Sequence, residues 1–159
     1  MIEITDANRD FKYKVIETLG GKGITKCFSC GTCTAGCPVQ EIDKAYNPRR
    51  IIHLALLGMK DMVLKSDFVW MCAGCYTCTE RCPQDVRLTD VMNVLKNLAV
   101  EDGIIHPSFT AQLEALKKNG ALYELGEFEN KKRNKFGLPE IVQNPEAVQE
   151  ILKNSSIPE

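Results

Sequence analysis

All eight cysteines of this 159-residue chain fall into two copies of one twelve-residue pattern. The first reads Cys27-Phe-Ser-Cys30-Gly-Thr-Cys33-Thr-Ala-Gly-Cys37-Pro38, and the second reads Cys72-Ala-Gly-Cys75-Tyr-Thr-Cys78-Thr-Glu-Arg-Cys82-Pro83. Thiols packed this densely must converge on something, and the fold has to be built around that. A disulfide framework suits a small secreted domain, but no secretory leader is read here and the spacing is too tight and too regular. Structural zinc takes separated pairs of cysteines rather than four in one short run. A cubane of iron and sulfide offers four corners, each of which takes a soft thiolate. C-x2-C-x2-C-x3-C-P written twice is the spacing that supplies two cubanes.

Cys27, Cys30 and Cys33 lie one helical or turn-like step apart, so they can wrap three corners of one cube. In two-cluster ferredoxins the fourth cysteine of each run ligates the other cluster. The expected ligand sets are therefore Cys27, Cys30, Cys33 and Cys82 on one [4Fe–4S] cluster, and Cys72, Cys75, Cys78 and Cys37 on the other. Gly31, Gly36 and Gly74 are expected to let the backbone approach the cubes and take up positive φ. Turns of this kind expose N–H groups that hydrogen-bond cluster sulfur and raise the reduction potential. Pro38 and Pro83 fix φ and lack an N–H, so each is expected to end its run and redirect the chain.

Charge is nearly balanced, 20 basic against 21 acidic residues, which gives no reason to expect nucleic acid or an electrostatic membrane anchor. The longest apolar stretch, Ile51 to Met59, is too short to span a bilayer. Thiols that ligate iron imply a reducing compartment, hence the cytoplasm.

Helix punctuation recurs along the chain, and no strand alternation does. Phe11, Val15 and Leu19 at spacing four predict an N-terminal helix with Asp6 as a cap, ended by Gly20-Gly21. Gly20-Gly-Lys-Gly23 lacks the full phosphate-loop pattern and reads as a connector. Between the runs, Asn47-Pro48 opens a helix over Arg49–Leu57 that stops at Gly58. Lys60–Lys65 adds a turn, and Ser66-Asp67 caps another into Trp70. Thr89 or Asp90 opens the clearest helix, with Val91, Leu95, Leu98 and Asp102 on one face, Met92 and Ala99 flanking it, and Gly103 closing it. Pro107-Ser108 starts a further helix with Phe109, Leu113 and Leu116 inward and Gly120 at its end. Beyond Asn130 the chain is polar, and 140–159 reads as a short helix or a loose tail. The expected organisation is an N-terminal helix and connector over 1–25, an all-α cluster-binding domain over 26–139, and a polar tail over 140–159.

Taken together, the runs, the helical insert and the flanking helices resemble the α-helical ferredoxins. More closely, the chain is similar to the C subunits of soluble heterodisulfide reductases. The likeness rests on Cys27–Pro38, on Asn47-Pro-Arg-Arg-Ile-Ile52, on Val69-Trp-Met-Cys72 and on Tyr76–Pro83, and runs through residues 10–125. It implies an all-α fold carrying two [4Fe–4S] clusters, with all eight ligand positions intact. It also implies an electron-transfer subunit without a catalytic centre. Such a subunit relays electrons from a flavin- and cluster-bearing A subunit to a B subunit that reduces the disulfide of coenzyme M and coenzyme B. In methanogens such complexes carry out flavin-based electron bifurcation.

Several residues around the runs invite a role. Lys26, Arg81 and Arg87 either offset the negative cluster–thiolate assembly or are ordinary solvated cations. Phe28, Trp70 and Tyr76 are expected to shield the cubes and pack. His53 and His106 are not expected to be ligands, and Lys131–Lys135 reads as a solvated surface. Two other functions compete: an iron–sulfur subunit of another anaerobic dehydrogenase, acting on glycerol-3-phosphate or succinate/fumarate, and a structural zinc module.

Overall fold

The computed structural model describes residues 7–155, and all regular structure among them is helical, as the punctuation predicts. The chain divides into two compact units, the first ending at Ile104 and the second beginning at Ile105.

The first unit opens with α1 (Phe11–Glu17), whose Phe11 and Val15 are buried. Leu19, expected on the same stripe, is instead 99% exposed. Spacing of four keeps residues on one face only while the helix continues. This one ends at Thr18, which turns extended and donates its hydroxyl to Lys14 O at 2.7 Å. The chain then doubles back so closely that a Cβ on Gly21 would lie 1.7 Å from Val15 O. The expected cap, Asp6, lies outside the described residues. A 3₁₀ turn over Lys22–Lys26 buries Ile24 and delivers the chain to the first cysteine run.

Seven helices follow in this unit: α2 (Thr32–Ala35), α3 (Pro38–Ile42), α4 (Pro48–Leu56), α5 (Lys60–Leu64), α6 (Phe68–Met71), α7 (Thr77–Glu80) and α8 (Leu88–Glu101). The sequence reading does not anticipate α3. Pro38 ends the run as expected, yet it also occupies the first position of α3, where a missing N–H costs nothing. α4 begins as its punctuation predicts, with Asn47 Oδ1 accepting from Arg50 N at 2.9 Å. Its Ile51, Ile52, Leu54 and Ala55 are buried.

α8 is the element the others pack on. It touches α1, the 3₁₀ turn, α5, α6 and α7. Partners on several sides bury Val91, Leu95 and Leu98 of the expected face and its flanking Met92 and Ala99, and add Val94. Each Leu, Val or Met fully buried here contributes roughly 1.5–3 kcal/mol. Asp102 pairs with Lys60 at 2.6 Å, pinning the end of α8 to the start of α5.

The second unit holds α9 (Pro107–Asn119), α10 (Glu127–Lys135) and α11 (Pro145–Lys153). His106 caps α9 by accepting from Ser108 N at 3.2 Å. Phe109 does not turn inward as expected: it is 37% exposed, and no residue of α9 is fully buried. So small a unit has too little surface to enclose a stripe of large side chains. The basic run lies on α10, where Lys131 pairs with Glu127 at 3.2 Å. The segment expected to be a short helix or a tail contains α11, capped by Asn144 Oδ1 on Ala147 N and packed on α9. Among the described residues, no helix is long and apolar enough to cross a membrane.

Two glycines separate strain from crowding. Gly58 has a φ of +76°, and a Cβ there would lie 2.4 Å from Asn8 O; Gly103 has a φ of +73° and open space around it. Gly103→Ala is expected to cost the left-handed penalty alone, about 1–2 kcal/mol. Gly58→Ala is expected to cost clearly more, because backbone must move as well. Anaerobic thermal unfolding of the two variants checks the order.

Candidate metal centre

Each cysteine run bends through two left-handed residues. In the first these are Ser29 (φ +68°) and Gly31 (φ +81°); in the second, Gly74 (φ +63°) and Tyr76 (φ +61°). Both pairs fall at the same two places in the pattern, but glycine fills the second place in the first run and the first place in the second. Ser29 and Tyr76 therefore hold a backbone state that costs an L-residue about 1–2 kcal/mol. Gly36 differs from expectation, with a φ of −101°. Its need is space, since a Cβ there would lie 2.6 Å from Arg81 Nη1. After the second left-handed residue each run starts a single helical turn, α2 or α7, which carries the third cysteine, Cys33 or Cys78.

These bends open two hollows of matched size, about 380 and 350 Å3 of space between atoms with the open side included. Cys27, Cys30, Cys33 and Cys82 line the first; Cys37, Cys72, Cys75 and Cys78 line the second; Cys78 borders both. Each fourth cysteine thus stands with the other run. All eight thiols are free, and Cys30 and Cys75 are the exposed ones. Among the described residues, no three His, Cys, Asp or Glu side chains form a group that could hold a single metal ion. The thiols ring a space instead of meeting at a point. Four soft sulfur donors around a space walled by Pro83, Val86 and Leu88, or by Val39, Leu88 and Met92, suit an iron–sulfur cubane.

Electrostatics separates inner from outer thiols. Burial pushes the Cys33 and Cys78 thiols up from the usual range. The Thr32 hydroxyl, 3.3 Å from Cys30 Sγ, draws that thiol down, and Thr77 does the same to Cys75 from 3.4 Å. Burial first, and then the neighbouring Cys72, hold the Tyr46 phenol far above the usual tyrosine range, so it keeps its proton.

The internal duplication extends past the runs. The threonine after each third cysteine accepts from a backbone N–H at the start of a later helix: Thr34 Oγ1 from Arg49 N at 3.1 Å, and Thr79 Oγ1 from Thr89 N at 3.3 Å. Aligning the halves on these N–H groups pairs Arg49 with Thr89, Pro48 with Leu88 and Tyr46 with Val86. All of these line the hollows. Sequence reasoning passes over them, although the Cys-Thr step repeated at Cys33 and Cys78 is the available signal.

Of the two readings open for the flanking cations, the structure fits the one in which they stand clear of the hollows. Lys26, Arg81 and Arg87 do not line either hollow; Arg81 packs against Gly36, and Arg87 pairs with Asp90 at 3.1 Å. The cation at a hollow is Arg49, in the wall of the first, with Nη1 donating to Ser29 O at 3.5 Å. Phe28 and Tyr76 line the first and second hollows but remain 59% and 47% exposed, and Trp70 packs against the core. His53 and His106 line neither; His53 Nε2 meets the Ser29 hydroxyl.

Comparison with known proteins agrees with this geometry. A family model described as a 4Fe-4S dicluster domain matches residues 23–86. In Methanocaldococcus jannaschii, the second iron-sulfur C subunit of the CoB–CoM heterodisulfide reductase is 37% identical over 153 residues, covering 87% of this chain and 77% of that protein. The C subunit of the H2:CoB-CoM heterodisulfide,ferredoxin reductase of Methanothermobacter thermautotrophicus is 35% identical, over 92% of this chain and 80% of its own length. The C subunit of the ferredoxin:CoB-CoM heterodisulfide reductase of Methanosarcina mazei is 39% identical, over 82% and 83%.

The two threonine buttresses should differ in weight. Thr89 is 2% exposed, whereas Arg49 is exposed. Thr79→Val strands a buried N–H and is expected to cost about 1–3 kcal/mol, and Thr34→Val under about 1 kcal/mol. Anaerobic denaturant unfolding of both variants measures the difference.

Proposed function

This chain belongs to the family of heterodisulfide reductase C subunits, and on that premise we propose that it relays electrons through two [4Fe–4S] clusters from a flavin-bearing A-like subunit to a disulfide-reducing B-like subunit. As an iron–sulfur subunit of an oxidoreductase complex it works with other subunits. The observation that carries the reading is the pair of cysteine-lined hollows, each of which receives the fourth cysteine of the opposite run. In this reading the Cys27, Cys30, Cys33 and Cys82 thiolates hold the first cluster, and Cys72, Cys75, Cys78 and Cys37 hold the second. When bound, a [4Fe–4S] cluster takes up and gives up one electron at a time.

The rest of the task belongs to the chain. Cys78 borders both hollows, so the two sites share a wall and the gap between them is short. Cys30 and Cys75 are exposed, which gives each site one corner at the surface where a partner can reach it. Val86, Leu88 and Met92 keep the inner walls apolar and dry. Electrons enter at one exposed corner and leave at the other. Reduction of R–S–S–R′ to two thiols takes two electrons and two protons, so the relay delivers two electrons in succession. The proposed substrate of the whole complex is the coenzyme M–coenzyme B disulfide, which the relatives carry in their names. A cytoplasmic setting follows from the proposed thiolate chemistry.

Anaerobic purification should yield a brown protein with about eight irons. Mixed with A-like and B-like subunits, it should make disulfide reduction depend on its own presence. A colourless zinc protein, or a complex equally active without this chain, would sink the proposal.

A further inference from the structure

We infer that Tyr46 tunes one cluster and spares the other: its hydroxyl, set in the wall of the second hollow, raises the reduction potential of the cluster held by Cys72, Cys75, Cys78 and Cys37. The inference rests on the cluster reading above and goes beyond it by assigning a redox role to a residue that ligates nothing.

Tyr46 is 1% exposed, and its ring stacks obliquely on Phe68, with centroids 5.8 Å apart and planes at 50°. A phenol buried so deeply must spend its hydroxyl within the protein. Tyr46 shares the wall of the second hollow with Cys37, Cys72 and Cys78, and of these Cys72 acts most strongly on its phenol, so the Cys72 sulfur is the acceptor the proposal gives its hydroxyl. A proton donor on a ligating sulfur draws charge away from the cluster. The more negative, reduced state gains more from this than the oxidised state, so the potential rises.

The duplicated scaffold supplies an internal control. Val86 occupies the place of Tyr46 in the other half and has no side-chain donor. There the backbone does the work, with Val86 N donating to Cys82 Sγ at 3.3 Å. Tyr46 N is already engaged by Asp43 O at 3.0 Å, so its half must use the side chain. Each hollow thus receives one donor from the same place in the repeat, by main chain in one and by side chain in the other. The side-chain donor can be removed by a substitution that leaves the backbone as it is. The potentials of the two clusters are therefore separately adjustable, with Tyr46 as the handle on the second.

Tyr46→Phe removes that single oxygen and keeps the ring. The test is an EPR-monitored redox titration of the cluster-loaded chain. The two signals are assigned beforehand with Cys30→Ser and Cys75→Ser, each of which perturbs one cluster. Y46F should keep the wild-type iron content and lower only the midpoint of the Cys75-dependent signal. At the poise where that wild-type cluster is half reduced, the ratio of reduced to oxidised cluster should fall roughly three- to tenfold. An unmoved midpoint, equal shifts in both signals, or loss of iron from Y46F would overturn the assignment to Tyr46 while leaving the cluster reading intact. Wild-type protein without clusters would overturn both.

Discussion

The crossing of the fourth cysteines is the constraint on which the rest of the first unit depends. Cys37 can reach the second hollow, and Cys82 the first, only if two runs far apart in sequence lie face to face. α2 and α7 meet for this reason, and Cys33 and Cys78 come to lie at the inner side of the pair. The intervening helices then have a fixed distance to bridge, which they do as four short segments, α3 to α6. α8 backs the arrangement, its start bordering the hollows through Leu88 and Thr89 and its remainder packed among the other helices.

Duplication explains the matched hollows, and departures from it explain how they differ. The left-handed bends, the single helical turns and the threonine buttresses all recur. Against that frame stand Arg49 where the other half has Thr89, Tyr46 where it has Val86, and Phe28 where it has Ala73. One hollow gains a cation and the Phe28 ring, the other a buried phenol and a buried hydroxyl. The proposed relay between two unlike partners calls for two unlike sites, and these substitutions differentiate the hollows while the eight cysteines keep their matched places.

What was legible in the sequence is what short-range chemistry decides. Asn47-Pro48 and Gly103 mark helix ends through caps and backbone freedom, and the cysteine spacing announces its own cluster. Leu19 misled because periodicity reports a face only while the helix continues, and Phe109 because so small a unit leaves even an inward position partly exposed. α3 escaped because five residues after a proline carry too little pattern. Among the cations, Lys26, Arg81 and Arg87 sit beside the runs in sequence, yet Arg49 reaches a hollow, because the turn at Thr34 brings the start of α4 there. Proximity along the chain was a poor guide to proximity in space.

Crossed ligation is most directly tested by the reduced EPR spectrum of Cys82→Ala in the cluster-loaded chain. The account predicts the same loss as Cys30→Ser, confined to the cluster of Cys27, Cys30 and Cys33, with the other signal intact. Loss confined instead to the signal that depends on Cys75 would mean that each run closes on its own cluster, and would contradict the account.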